Sequence, residues 1–361
     1  MESFWAELSI ALDSEDIIKV FIQRGGLNIV DLKDSKACAN LKIGKLLGSG
    51  LNGKIYQIND KDNQGLEVVV KNVTLQESVI KNKEVIIIHE TLCEIIMSAY
   101  FNRLYSRANS YSVNFPYFQG FFSCGSQAQI VMEKLDVSLY DYLYRNEFKF
   151  SVFTGLLFQL TFSLLLLRKE GIMHNDLHTR NLMLVSTKDK KYKSIDLNAD
   201  FLYYKSGEAT FKIPNSGYLL KFVDFDFSAR HKAPKVCPKK LWTRPMDVYN
   251  VQYEWRPDYD LMIIVAFLID ALFMKKALSA ELDKARILLE DWIGDLMGDS
   301  KTIKRAKGYH IKKFMSNFNP TVNRPIRGKE FMGLQLKLDY WNGKYGIEKI
   351  SKQKVPLVGD L

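Results

Sequence analysis

Eight residues, His174-Asn175-Asp176-Leu177-His178-Thr179-Arg180-Asn181, stand between two apolar segments and constrain the fold more than any other stretch. On one side Val152, Phe153, Leu156, Leu157, Leu160, Leu164 and Leu167 recur at helical spacing, which predicts a buried helix. On the other, Leu182-Met183-Leu184-Val185 predicts a strand. A core helix therefore feeds the octet and a strand leaves it. Alone, such residues serve equally well to make turns and satisfy local backbone. The neighbouring motifs decide.

Asp176 and Asn181 stand five positions apart on one loop, so a carboxylate can face a substrate hydroxyl while an amide oxygen reaches a metal ion. Asp224, in Asp224-Phe225-Asp226, can add the main metal-binding carboxylate. Together these residues point to phosphoryl transfer from ATP, with Mg²⁺ or Mn²⁺ as the companion ion.

The chain has 361 residues, 47% of them apolar, enough for a sizeable core in one domain with two lobes or in two domains. Its four cysteines, Cys38, Cys93, Cys124 and Cys237, form no C-x-x-C pair. Neither a disulfide framework nor a zinc site is suggested, which fits an intracellular, reducing compartment. The net charge of +10 favours acidic or phosphate-rich partners and leaves nucleic-acid or membrane-surface contact through basic patches open. The N-terminus lacks the layout of a secretory signal. The apolar runs Gly155 to Leu167 and Leu261 to Met274 are shorter than a bilayer span and are expected to be buried helices.

Residues 1–40 are expected to form an extension packed on the main body. From Leu41 a strand, a glycine-rich turn at Gly48-Ser49-Gly50-Leu51-Asn52-Gly53 and a second strand follow. A plain hairpin and a dinucleotide site share the glycine spacing, but the latter needs a helix directly afterwards. Glu67-Val68-Val69-Val70-Lys71 closes a strand on one lysine, and a helix from about Val85 to Leu104 offers Glu84, Glu90 and Glu94 as its partners. Glu94 is preferred because it stands at the edge of an apolar face. Two more strands end at Met132-Glu133-Lys134-Leu135, and Ser138 has the position of a helix N-cap. Residues 186–217 form an insertion with a hairpin around Ser206-Gly207. A basic, proline-bearing stretch from Ser228 to Asn250 is expected to lie along the substrate, and Asp260 to hold the catalytic loop from below. The basic cluster from Lys301 to Lys313 is expected to be a solvated helix face.

Taken in order, these motifs resemble the protein-kinase fold from about Leu41 to Met274. The resemblance implies an α+β, bilobal architecture: a small β-rich N-lobe at 41–135 and a larger, mostly helical C-lobe at 136–361. It implies that Gly48, Ser49, Gly50, Gly53 and Ile55 cover the ATP phosphates, and that Lys71 grips them with Glu94 as partner. Met132, Glu133 and Leu135 would contact adenine, largely through backbone groups. Asp176 would be the catalytic base, Asn181 and Asp224 the metal ligands, and Asp260 the buried acid under the loop. The Asp-Leu-x-x-x-Asn loop from Asp176 to Asn181, the insertion, Val223-Asp224-Phe225-Asp226-Phe227-Ser228 and Tyr259-Asp260-Leu261 look like the divergent serine/threonine kinases of poxviruses and other large DNA viruses, which implies host cytoplasm and virion as locations. Glu94-Ile95-Ile96-Met97-Ser98 also looks like haspin-type kinases.

Several positions depart from that pattern. Asn175 replaces the usual arginine, so activity without loop phosphorylation is expected. Asp226 replaces a glycine, and Pro245-Met246-Asp247 is at most a remnant of Ala-Pro-Glu. His178 takes the place of a lysine, with Arg180 able to supply the positive charge. His178 also keeps two alternatives open: a small-molecule kinase of the aminoglycoside-phosphotransferase type, which carries a similar loop, and beside it a non-catalytic ATP-binding scaffold.

Overall fold

The computed structural model describes residues 43–50, 53–58, 67–74, 90–105, 111–124, 127–188, 200–230, 259–275, 279–297, 338–350 and 357–360. The extension at 1–40, Leu51-Asn52, Glu84, the 231–250 part of the expected substrate loop and the basic cluster at 301–313 lie outside the described residues. The chain divides into two compact units. Among the described residues the first holds 43–105, 115–135 and 224–230, and the second holds 111–114, 136–223 and 259–360.

In the first unit, β-branched and alternating segments form β1 (Ile43–Gly50), β2 (Gly53–Ile58) and β3 (Val68–Thr74), followed by helix α1 (Glu90–Tyr105). In the second unit, β4 (Tyr111–Ser112) comes next in chain order. Strands β5 (Phe118–Cys124) and β6 (Gln127–Glu133) then complete an antiparallel sheet in the order β1-β2-β3-β6-β5. Its core is Ile58, Val68, Val70 and Val131, with Tyr56 packed against it. Gly50 and Gly53 face each other across the β1–β2 hairpin. Gly53 is needed for close approach, since a Cβ there would stand 2.4 Å from the backbone oxygen of Asn72. Around Gly48 a Cβ would meet nothing within 4 Å.

Cys93, fully buried in α1, is disulfide-bonded. The sequence reading suggested no disulfide, because the cysteines are far apart along the chain. Separation in sequence does not limit approach in space.

The second unit continues with β7 (Val137–Ser138), α2 (Leu139–Arg145), α3 (Phe150–Lys169), β8 (Ile172–Met173) and β9 (Leu182–Ser186). After these come β10 (Phe201–Ser206), β11 (Ala209–Pro214) and β12 (Tyr218–Phe222), with β13 (Ala229–Arg230) belonging to the first unit. Helices α4 (Tyr259–Met274) and α5 (Ala280–Met297) and strands β14 (Glu348–Ile350) and β15 (Gly359–Asp360) complete the chain order. Ser138 caps α2: its Oγ accepts from the Asp141 N–H at 3.0 Å. By length and composition α3 could cross a membrane, yet 78% of its apolar window is buried inside the structure, the position of a core helix.

The insertion is more than a hairpin. Strands β10 and β11 enter a five-stranded sheet ordered β14-β11-β10-β15-β4. One face of the hairpin lays Tyr204 and Phe211 against Phe158 of α3, and Phe158 meets Trp341 edge-on. A buried polar knot pins the same region. Asn114 Nδ2 donates to Gln159 Oε1 (3.1 Å) and to the Leu220 carbonyl (2.7 Å), while the Tyr204 hydroxyl donates to Asn114 Oδ1 (3.2 Å). Gln159 Oε1 also accepts from the Leu220 N–H at 2.8 Å. Residues 111–114 go with the second unit through this knot and β4, and residues 224–230 go with the first.

Candidate nucleotide and phosphoryl-transfer residues

Lys71, on the central strand β3, points its ammonium at two carboxylates of the first unit. Nζ lies 2.7 Å from Glu94 Oε2 and 2.7 Å from Asp224 Oδ1. Lys71 and Glu94 are almost wholly buried, whereas the Asp224 side chain is 32% exposed. Burial alone would lower the Lys71 pKa, but the charges of Glu94 and Asp224 outweigh it and hold the amine above its ordinary range. Burial pushes the Glu94 carboxyl up, and the Lys71 charge pulls against it. With both acids at hydrogen-bond distance the ammonium is the settled charge of the trio.

Helix periodicity explains how α1 serves this site. Glu94 and Phe101 are seven residues apart, so they share a face. Glu94 meets Lys71, and Phe101 stacks on Phe115 (centroids 4.0 Å) and packs on Phe225 at 4.8 Å. Phe225 thereby anchors its neighbour Asp224, whose backbone has φ 67°, a strained value for a residue other than glycine. Glu90 begins the helix and Glu94 is the acid that reaches the lysine. The sequence did not single out the Phe101–Phe115–Phe225 cluster, although the seven-residue spacing was there to find it.

At the end of β6 the expected adenine-contact residues are partly committed. The Glu133 N–H donates to the Tyr117 carbonyl (2.8 Å) and the Lys134 N–H to the Glu67 carbonyl (3.0 Å). Glu133 Oε2 accepts from the Tyr117 N–H (2.9 Å), and the Lys134 ammonium pairs with the Glu67 carboxylate. Leu135 differs: its N–H makes no hydrogen bond among the described residues. Met132 is half-buried on the same strand, and Ile55 on β2 lies opposite Lys71. Ser49 and Gly50 are exposed at the end of β1.

The second unit carries the octet. Asp260 Oδ2 accepts from the His174 N–H (2.7 Å) and Oδ1 from the Asn175 N–H (2.9 Å), so a single carboxylate straps the start of the loop. Burial pushes the Asp260 carboxyl up to about 6, against the pull of those two N–H groups. Asn175 has φ 65°, a conformation asparagine tolerates and arginine rarely adopts, which gives that departure a backbone reason. His174 Nε2 lies 2.9 Å from the Val223 carbonyl.

Asn181 Nδ2 donates to the Asp176 carbonyl (2.9 Å) and to Asp176 Oδ2 (3.2 Å), which orients both side chains. With its Nδ2 so committed, Asn181 keeps Oδ1 as an acceptor. His178 Nδ1 accepts from the backbone N–H groups of Arg180 (3.2 Å) and Asn181 (3.3 Å), so the neutral ring carries its proton on Nε2. That Nε2 lies 3.7 Å from Asp176 Oδ2. The Arg180 guanidinium lies over the Tyr140 ring, 4.0 Å from its centroid. Among the described residues no group of three or more His, Cys, Asp or Glu side chains could hold a metal.

A stretch of 91 residues, 24% of the chain, is 34% identical to Homeodomain-interacting protein kinase 1 of Caenorhabditis elegans. The likeness is to protein kinases. It spans only 11% of that relative's length. No protein-family model matches the chain. Among solved structures, the crystal structure of the BubR1 kinase domain aligns with 64% of this chain and 62% of its own at 14% identity, with a TM-score of 0.41. The architecture is α+β: a five-stranded antiparallel sheet carrying the Lys71–Glu94 pair in one unit, and short strands packed with helices in the other. The resemblance to kinases of large DNA viruses rests on the motifs alone.

Proposed function

We propose that the chain is an ATP-dependent serine/threonine protein kinase of the kind carried by large DNA viruses, acting in the host cytoplasm and virion. The observation that carries this reading is the Lys71 ammonium held between Glu94 and Asp224, each at 2.7 Å. A lysine fixed in this way is a preformed grip for nucleotide phosphates. Open space at Gly48 and the uncommitted Leu135 N–H suit a nucleotide's phosphates and base.

On this reading Asp224 and Asn181 would hold the Mg²⁺, since a carboxylate and an amide each supply the kind of oxygen donor that ion prefers. A bound Mg²⁺ would neutralise charge on those phosphates. Asp176, oriented by Asn181, is the base that accepts the hydroxyl proton of the substrate. Positioning and charge neutralisation carry most of the catalysis, since little covalent chemistry is asked of the protein.

The test is transfer of radiolabelled γ-phosphate to casein-like proteins, with sugars and aminoglycosides as rival acceptors. The wild type labels protein seryl and threonyl groups, and Asp176→Asn and Asp224→Ala abolish labelling while retaining the fold. Labelling of small molecules alone, or equal labelling by Asp176→Asn, refutes the proposal.

A further inference from the structure

Arg180 is exposed, and its guanidinium makes no ion pair among the described residues. The acid on its own loop and the one next to Tyr140 in sequence are otherwise engaged. Asp176 is held by Asn181, and Asp141 both accepts the hydroxyl of Ser138 (2.7 Å) and pairs with Arg145 (3.2 Å). The guanidinium is nevertheless not loose. Its carbon lies over the Tyr140 ring, 4.0 Å from the centroid, and Tyr140 in turn stacks parallel to the exposed Tyr144, with 2° between the ring planes. The Tyr140 N–H donates to the Thr179 carbonyl (3.0 Å), so helix α2 and the catalytic loop hold the two partners in register.

A pinned, uncompensated guanidinium loses little side-chain freedom when an anion arrives, and its fork matches a carboxylate or phosphate. We infer that Arg180, seated on Tyr140, recognises an acidic or phosphorylated side chain of the protein substrate within a few residues of the accepting hydroxyl. This deepens the proposed kinase function and rests on it. It also gives Arg180 a task different from the one its sequence position suggested. The ring nitrogen that approaches Asp176 is that of His178, and Arg180 is occupied on the tyrosine ledge. The short distance along the loop from Asp176 to Arg180 puts the recognised anion near the reacting hydroxyl, which makes it a specificity element.

The experiment compares peptides that share one acceptor serine and differ at the flanking positions: alanine, glutamate, phosphoserine or arginine. For the wild type, kcat/KM is higher for the glutamate or phosphoserine peptide than for the alanine peptide by about tenfold, the size of one charge-assisted hydrogen bond. In Arg180→Ala that ratio falls to near one, chiefly through KM, and Arg180→Glu prefers the arginine peptide. A purely structural role for Arg180 would not reverse the charge preference. Glutamate and phosphoserine arms separate carboxylate from phosphate as the favoured anion.

Equilibrium binding of fluorescently labelled versions of the same peptides, measured by anisotropy on an Asp176→Asn background, needs no turnover. Arg180-dependent binding of acidic peptides without any phosphate transfer by the wild type would uphold the recognition site and sink the kinase reading. An acidic preference that survives Arg180→Ala, or a wild type indifferent to flanking charge in both assays, overturns the inference.

Discussion

Lys71 Nζ stands 2.7 Å from Glu94 Oε2, with both side chains almost entirely out of water. A buried charge left without its partner costs far more than the pair is worth, because desolvation is no longer offset. Lys71→Met should therefore destabilise the protein by about 3–5 kcal/mol, and Lys71→Met combined with Glu94→Leu should recover most of that loss. Urea unfolding of the single and double variants measures it, and equal midpoints for the two would refute the account.

Asp260 makes stability depend on pH with a defined sign. Burial pushes its carboxyl up to about 6, above the ordinary aspartate value of about 3.9, so the folded protein binds the proton more tightly than the unfolded chain does. The stabilisation is fully present below the lower value and is lost as pH rises towards the upper one. About two pH units at 1.36 kcal/mol each give a change on the order of 3 kcal/mol. Asp260→Asn removes this titration, so the difference in Tm between wild type and variant should shrink between about pH 4 and pH 6. Parallel curves across that window would refute it.

The Asn114–Gln159–Tyr204 knot should behave as a network. Gln159→Leu strips acceptors from the Asn114 amide and the Leu220 N–H, and should cost about 2–3 kcal/mol. Tyr204→Phe removes one hydroxyl and should cost about 1 kcal/mol. The double variant is expected to fall short of the sum, as it does when sites share partners. Chemical denaturation of the three proteins reads the coupling.

Two glycines should respond in opposite ways to alanine. At Gly359 a Cβ would stand 2.6 Å from Phe162 Cε1 and 3.1 Å from Tyr204 Cδ1, rings that are fully buried. Overpacking of this kind costs about 1–3 kcal/mol. At Gly48 the space is open, and Gly48→Ala should leave Tm within about 2 °C of the wild type.

Much of the candidate site is legible in the sequence because its residues sit at fixed offsets on short elements. Asp176 and Asn181 share one loop, and the Lys71 strand is marked by its β-branched run. Helix α1 narrows the acid to few candidates, and the apolar edge favours the one that reaches Lys71. What the chain does not announce is contact between distant segments. The seat of Arg180 on Tyr140 joins residues forty positions apart, and cation–π pairing leaves no periodic trace. Gly53 reads as a phosphate-loop glycine, yet its need for a bare Cα comes from the backbone of the neighbouring strand. The β14-β11-β10-β15-β4 sheet was missed for a similar reason. Its strands of two, three and six residues carry too little alternation to declare their partners.

That sheet also bears on how the protein is made. Tyr111 and Asp360 are neighbours across β4 and β15, roughly 250 positions apart in the chain, and β15 fills the gap between β4 and β10. During synthesis the hairpin of the insertion must wait, edge uncovered, until the distal residues leave the ribosome. Assembly of the larger unit thus waits on its most distal strand, and a nascent chain that still lacks it presents an open strand edge to chaperones and to other chains.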